Sequence, residues 1–244
     1  MIRLIEELSL NAWPAAQTLH FDGWVLRFSG GYTRRANSIN PLYPAQLDLD
    51  EKIRDCEAHY RAQGLPVIFK ITPDAQPAGL DAHLAGLGYR QDAVTSVQTL
   101  QLSGWDQQPS GVTFSPEATP AWEDAFARMS GIPERSRAAH REILRAILPQ
   151  ACYAALHAEG RAAACGLAVL QAGYVGLYDI VTDAACRRMG FGERLVRGLL
   201  GWATEQGARM AYLQVMLNNP PALRLYEKIG FQEQYRYWYR VKDE

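Results

Sequence analysis

The run Arg187-Arg188-Met189-Gly190-Phe191-Gly192 carries the residue types of an anion cradle. It follows an apolar, strand-like segment at 174–182 and opens an amphipathic helix expected over 193–206. Glycines at 190 and 192 let the main chain approach a ligand closely. The unpaired amides of a helix's first turn point at whatever lies in front of them and favour negative charge. Arg187 and Arg188 add cationic side chains beside them. The chemistry is phosphate binding. An ordinary tight turn shares this pattern, so a second motif must decide.

That motif lies about thirty residues on. Leu213-Gln214-Val215-Met216-Leu217 alternates like a buried strand and runs into a helix opened by Asn219-Pro220-Pro221. Asparagine is a good N-cap, and proline is tolerated in the first helical turn. Ala222, Leu225, Tyr226 and Ile229 fall on one helical face, and Gly230 is a natural stop. The two motifs together resemble the GCN5-related N-acetyltransferases. That family's loop, Arg/Gln-x-x-Gly-x-Gly/Ala, is met at Arg187, Gly190 and Gly192. Its later motif, Asn-x-x-Ala-x-x-Leu-Tyr-x-x-x-Gly-Phe, is met at Asn219, Ala222, Leu225, Tyr226, Gly230 and Phe231. The resemblance covers roughly residues 111 to 244.

The resemblance implies acetyl-CoA as co-substrate and transfer of its acetyl group to a primary amine. It places the pyrophosphate on the main-chain amides of Arg188, Met189, Gly190, Phe191 and Gly192, with Arg187 beside them. It pairs the pantetheine arm with Ile180, Val181 and Thr182, as if with an added strand, and brings Asn219 near the same arm. Many relatives have glycine where Arg188 stands, so that side chain is expected to point outward, toward the nucleotide end. Tyr226 is implied as the general acid, a phenol with an ordinary pKa near 10 able to protonate a departing thiolate. The competing reading is a tyrosine that only packs one turn after Ala222. The candidate base is Asp179, on the strand before the cradle, where relatives often carry an acid; bulk solvent is the alternative proton acceptor. Strand alternation puts Asp179 on one face with Leu177 and Val181, and Tyr178 and Ile180 on the other. An unpaired acid is costly to bury there, which leaves a catalytic role or a pairing with a nearby arginine. Tyr178 is a candidate to line the acceptor site.

Composition restricts the alternatives. The chain has 244 residues, 48% hydrophobic and 21% charged, with a net charge of −1. No global attraction to nucleic acid or to an anionic membrane follows from that balance. The first residues break any apolar run with acids, and no window reaches the roughly eighteen apolar residues of a membrane span. Cys56, Cys152, Cys165 and Cys186 have no paired spacing and read as reduced thiols of a cytoplasmic protein. The five histidines, His140 among them, show no metal-ligand spacing. No metal is expected.

The expected fold class is α/β (α+β), two tandem copies of one fold, each a central mixed sheet flanked by helices. A polar, turn-rich stretch at 103–111 divides a first domain, 1–104, from a second, 111–244. The first half echoes the second: a helix over 50–63 ending at Gly64, a strand over 66–72, a helix over 76–87 ending at Gly88-Tyr89, then a strand to 102. Gly64 falls on Gly207 and Gly88-Tyr89 on Gly230-Phe231 at a nearly constant offset. Where the second half has its glycines, the first has Leu47-Asp48-Leu49-Asp50, and where the second has Tyr226 the first has Leu84. The first half therefore reads as a degenerate copy without cofactor. A monomer follows, since the tandem mimics a dimer within one chain. Gly30-Gly31 reads as a hairpin turn, and Arg34, Arg35 and Asn37 on its return strand are candidates for the acceptor site, with a solvated strand face as the competing reading. The alternating aromatic and basic residues at 235–240 read as a half-buried strand. The acceptor is a small-molecule or peptide amine. The rival function is a protein that binds or senses acyl-CoA without turning it over.

Overall fold

The computed structural model describes residues 1–105 and 111–242. Most of the turn-rich stretch expected to join the halves lies outside the described residues. The chain forms two compact units: residues 1–96 with 235–244, and residues 97–234. This differs from a division at 104 and 111, because the final strand belongs to the first unit.

The first unit carries α1 (Ile2–Ala12), β1 (Gln17–Phe21), β2 (Trp24–Phe28), β3 (Ile39–Pro41), α2 (Leu49–Ala62), β4 (Val67–Ile71), α3 (Leu80–Gly86) and β5 (Arg90–Gln101), whose end passes into the second unit. Its strand order is β1-β2-β3-β4, then the C-terminal strand β11 (Gln232–Lys242), then β5. β11 runs antiparallel to β4, with Trp238 opposite Ile71 and Lys242 opposite Val67. Its alternation is the expected one: Tyr235, Tyr237, Tyr239 and Val241 are buried. Trp24, Leu26, Ile39, Tyr60, Phe69 and Tyr89 fill the core of this unit.

Charged groups pin β11 in place. Lys70 pairs with Glu6, both buried, and the Tyr235 hydroxyl donates to the same carboxylate at 2.6 Å. Asp81 accepts Arg240 Nε at 2.8 Å, Arg240 Nη2 at 2.9 Å and Trp238 Nε1 at 2.7 Å. The Arg240 guanidinium holds the Asp81 carboxyl below its ordinary value of 3.8. A carboxyl lowered in the folded state stabilises above its unfolded value, and that contribution is lost as pH falls through the folded one. Asp81→Asn is therefore expected to cost about 1 kcal/mol at pH 7, a screened charged pair. The deficit in urea midpoint should narrow as pH falls below the ordinary carboxylate value of 3.8. An equal deficit on both sides of that value overturns the ionic account.

The second unit takes over from the end of β5. β6 (Val112–Ser115) leads into α4 (Pro120–Ser130) and α5 (Glu134–Arg145), then the antiparallel strands β7 (Gln150–Ala158), β8 (Arg161–Gln171) and β9 (Tyr174–Thr182). α6 (Phe191–Glu205) crosses over to β10 (Met210–Met216), parallel to β9, and α7 (Pro220–Ile229) follows. The strand order is β5-β10-β9-β8-β7-β6. α6 and α7 supply Leu195, Val196, Leu199, Tyr226 and Ile229 to one core on the sheet. No residue of α4 or α5 is in that cluster; Trp122 of α4 donates instead to Ala154 O at 3.0 Å and meets Tyr153 edge-on.

The internal repeat is visible in the backbone. α2, β4, α3 and β5 match α6, β10, α7 and β11, and the glycines that end the paired helices all have left-handed φ: 62° at Gly64, 87° at Gly207, 86° at Gly88 and 110° at Gly230. One difference bears on function. In the first unit Asp48 caps α2, its carboxylate accepting the amides of Asp50 and Glu51 at 3.1 Å. Gly190 holds the matching place before α6, and no side chain caps that helix.

Candidate functional site

The site is built at the point where the sheet of the second unit opens. β9 and β10 pair over four residues each, Tyr174–Leu177 with Met210–Leu213, and the ladder ends there. β9 continues to Thr182, held on its other side by β8 through Val181 opposite Cys165 and Thr182 opposite Ala164. Ile180, Val181 and Thr182 thus lie on a strand whose β10-side ladder has already ended. That is the geometry into which an extended amide-bearing ligand adds as a strand.

The register explains what happens at Asp179. Cys165 pairs with Val181, but Leu167 pairs with Tyr178, so Gly166 alone faces Asp179 and Ile180. The extra residue is a bulge, with Asp179 at φ +50°. Ile180 then packs into the core beneath α6 together with Leu177. A Cβ on Gly166 would lie 2.5 Å from Ile180 Cδ1, so only glycine lets Ile180 reach that core. Simple alternation put Leu177 and Asp179 on one face and Ile180 on the other. The bulge shifts the parity by one residue and corrects that expectation. Asp179 meets α5 instead: His140 Nε2 lies 2.7 Å from Asp179 Oδ2, with both side chains nearly buried. The nearby Arg128 pairs with Asp183 rather than with Asp179. Tyr178, the candidate acceptor-site residue, is buried, and its hydroxyl donates to the Tyr212 hydroxyl at 3.1 Å.

Past β9, the buried Asp183 accepts the amide of Ala185 at 3.0 Å. That bond, then the Arg128 guanidinium, holds its carboxyl below the ordinary 3.8. The loop after it is thereby fixed in direction. Arg187 is extended at φ −65°, ψ 151°, and Arg188 is left-handed at φ +62°. Gly190 is left-handed too, at φ +81°, and the helix begins at Phe191, two residues earlier than expected. Gly192 therefore sits inside the first turn, its Cα side facing Thr182: an added Cβ would lie 3.1 Å from Thr182 Oγ1. The side chains of Arg187, Arg188 and Met189 are exposed. The first turn is also held by Glu193, whose carboxylate takes Lys228 at 2.5 Å and Arg197 at 3.1 Å.

α7 places the remaining residues. Asn219 caps it, its Oδ1 accepting the Ala222 amide at 3.3 Å. Tyr226 is 7% exposed and lies edge-on to Phe231 at 5.8 Å. In the first unit, Arg34 and Asn37 are not on a return strand. Arg34 to Ala36 form a single 3-10 turn, and β3 begins only at Ile39. Arg34 pairs with Asp92 at 2.7 Å. The Asn37 side chain is engaged within its own loop, accepting from Ser29 N at 2.7 Å and Gly31 N at 2.9 Å and donating to Thr33 O at 2.8 Å. Among the described residues, no group of three His, Cys, Asp or Glu side chains is placed to hold a metal ion, and no helix is long and apolar enough to cross a membrane.

An open strand edge beside an uncapped helix start is where relatives become informative. The family described as "Probable histone acetyltransferase Rv0428c C-terminal" matches residues 1–240. The chain is 31% identical to the uncharacterized N-acetyltransferase YobR of Bacillus subtilis, across 99% of this chain and 98% of that one. The chain is a GCN5-related N-acetyltransferase. Solved members share the fold at low identity. A GCN5-related N-acetyltransferase from Kribbella flavida superposes with a TM-score of 0.72 at 15% identity, over 99% of this chain and 95% of its own. A tandem member from the clavulanic acid biosynthesis pathway superposes with a TM-score of 0.64 at 15% identity, over 98% and 88%. The tandem arrangement expected from the echo is thus a known form of this acetyltransferase fold.

His140 is the residue that sequence reasoning missed. Nothing in its neighbourhood marks it, because its partner lies on another element and a bulge must first turn that partner toward it.

Proposed function

We propose that the chain transfers an acetyl group from acetyl-CoA to a primary amine, small-molecule or peptide, with the second unit as the active copy. The observation that carries this reading is the open edge of β9 beyond Leu177, leading directly to the uncapped N-terminus of α6. The residues fit the co-substrate: Ile180, Val181 and Thr182 would hold the pantetheine arm, and the main chain of Arg188, Met189, Gly190, Phe191 and Gly192 the pyrophosphate, with Arg187 adding charge. When bound, acetyl-CoA supplies a carbonyl activated as a thioester, so that a C–N bond forms as the C–S bond breaks. Asp179 takes a proton from the incoming ammonium, and the Tyr226 hydroxyl gives one to the leaving sulfur. Positioning by the two strands supplies much of the remaining acceleration.

In the first unit, Asp48 occupies the amides that would otherwise meet a phosphate, which supports a degenerate copy without co-substrate. We further propose a cytoplasmic monomer, since the tandem supplies a second copy of the fold within one chain. Calorimetric titration with acetyl-CoA, followed by thiol release against a panel of amines, tests the reading. Binding with turnover of at least one amine is expected. Tight binding with no turnover would leave acetyl-CoA in place and remove the amine acceptor; absence of binding removes the whole assignment.

A further inference from the structure

We propose that His140 is a positioning residue for proton removal: its imidazole holds the Asp179 carboxylate toward the acceptor amine, so that the two act as one dyad. The proposal rests on the acetyltransfer reading above and adds to it a residue that no motif contains.

Three observations meet here. First, Asp179 occupies a left-handed conformation, φ +50°, at the bulge. Such a conformation persists where its surroundings enforce it, often at functional sites. Here it turns the carboxylate away from the α6 core and toward α5. Second, the bulge lies just past Leu177, the last residue of β9 paired with β10. The carboxylate is therefore anchored at the mouth of the opening. Third, the imidazole that meets it cannot wander. His140 is 4% exposed and stacks on Phe126 at 4.6 Å with 17° between the planes, while Nε2 lies 2.7 Å from Oδ2. With Nε2 as the donor, the hydrogen bond orients the Asp179 carboxylate without the fixed cation an arginine would bring.

The neighbouring groups do not compete for the proton. Tyr153 of β7 and Cys165 of β8 face the same carboxylate. Burial, with the Asp179 charge as a lesser cause, raises both groups above their ordinary values, so both remain protonated. Among the cations and acids of α4, Arg128 pairs with Asp183 and Glu123 with Arg141 at 2.6 Å. The step balances simply. An N–H bond of the acceptor ammonium breaks, an O–H bond forms on Asp179, and the nitrogen lone pair is released for attack; the proton then leaves to solvent.

Two variants and a spectroscopic signature test the dyad. In the protein without any ligand, the imidazole N–H proton hydrogen-bonded to Asp179 is expected as a downfield resonance in the proton spectrum. It should vanish in both His140→Gln and Asp179→Asn. His140→Ala is expected to lower kcat about thirtyfold, below the hundredfold or more of a lost general base, with KM for the amine and the Kd of acetyl-CoA within threefold. His140→Gln, whose amide can donate to the same oxygen, should recover at least a third of the wild-type kcat with its fold intact. A wild-type kcat in His140→Ala, or a Gln variant as impaired as the Ala variant, overturns the positioning role while leaving acetyltransfer standing. Absence of the downfield resonance overturns the dyad itself. Failure of the wild-type protein to turn over any amine removes the acetyltransfer reading and the dyad with it.

Discussion

Replacing Tyr226 by phenylalanine is expected to lower kcat about a hundredfold while the affinity for acetyl-CoA barely moves. The substitution is clean because the backbone around Tyr226 is fixed by other groups. Asn219 caps the start of α7, and the Tyr226 carbonyl accepts the amides of Gly230 at 3.1 Å and Phe231 at 3.0 Å, closing its end. Phenylalanine keeps the ring and with it the edge-on contact with Phe231. Only the hydroxyl is lost. A proton donor to the leaving sulfur acts in the transition state, so its removal appears in kcat rather than in ground-state binding. Steady-state kinetics with the best amine, paired with calorimetry for acetyl-CoA, separates the two. An unchanged kcat removes Tyr226 from the mechanism and leaves it a packing residue. A weaker acetyl-CoA affinity with unchanged kcat would instead make it part of the binding surface.

The second large effect is expected at Gly190. Gly190→Glu should abolish measurable acetyl-CoA binding. Steric collision is not the cause, since a Cβ at this position meets no atom within 4 Å. The backbone is left-handed, φ +81°, where a side chain costs about 1–2 kcal/mol. Electrostatic repulsion outweighs that strain. A carboxylate in front of the uncapped α6 amides occupies the place of a phosphate and repels one nearby. Two like charges 4 Å apart near a protein surface repel by about 4 kcal/mol, roughly a thousandfold in affinity. Gly190→Asn provides the control, being neutral and tolerant of the left-handed region. It should bind acetyl-CoA within about tenfold of wild type. Retained binding in the Glu variant overturns the cradle. Equal loss in both variants assigns the effect to backbone strain rather than charge.

Much of this architecture is legible along the chain because it is written in local chemistry. The expected strand at 174–182 coincides with β9, and the helix stops at Gly64, Gly88, Gly207 and Gly230 all take the left-handed backbone that glycine permits. The echo between halves survives for the same reason, since a helix, its glycine stop and the next strand are short-range features. The family match spans residues 1–240, and a tandem acetyltransferase shares the fold. Where the expectation slipped by a residue or two, as at the start of α6, a helix end was judged from side-chain types that tolerate either boundary.

Long-range pairing is a different matter. Nothing in residues 232–242 states that the last strand joins the first unit; β4 offers the free partner edge, and the Lys70–Glu6–Tyr235 and Asp81–Arg240 contacts select it. Arg34 and Asn37 looked like acceptor-site residues because polar side chains dominate their stretch. Asn37 is instead engaged with its own loop, whose main-chain groups its amide satisfies.

The sequence by itself determined which elements form, that they form twice, which copy keeps a glycine-bearing helix start, and which family's motifs it carries. Those are consequences of propensity, periodicity and capping, each acting within a few residues. Only the tertiary structure decided which way Asp179 faces and what it meets. One inserted residue opposite Gly166 reverses the side-chain parity of a strand, and no local pattern marks where a ladder will slip. That slip, together with the packing of α5 on the sheet, brings His140 to a carboxylate thirty-nine residues away in the chain.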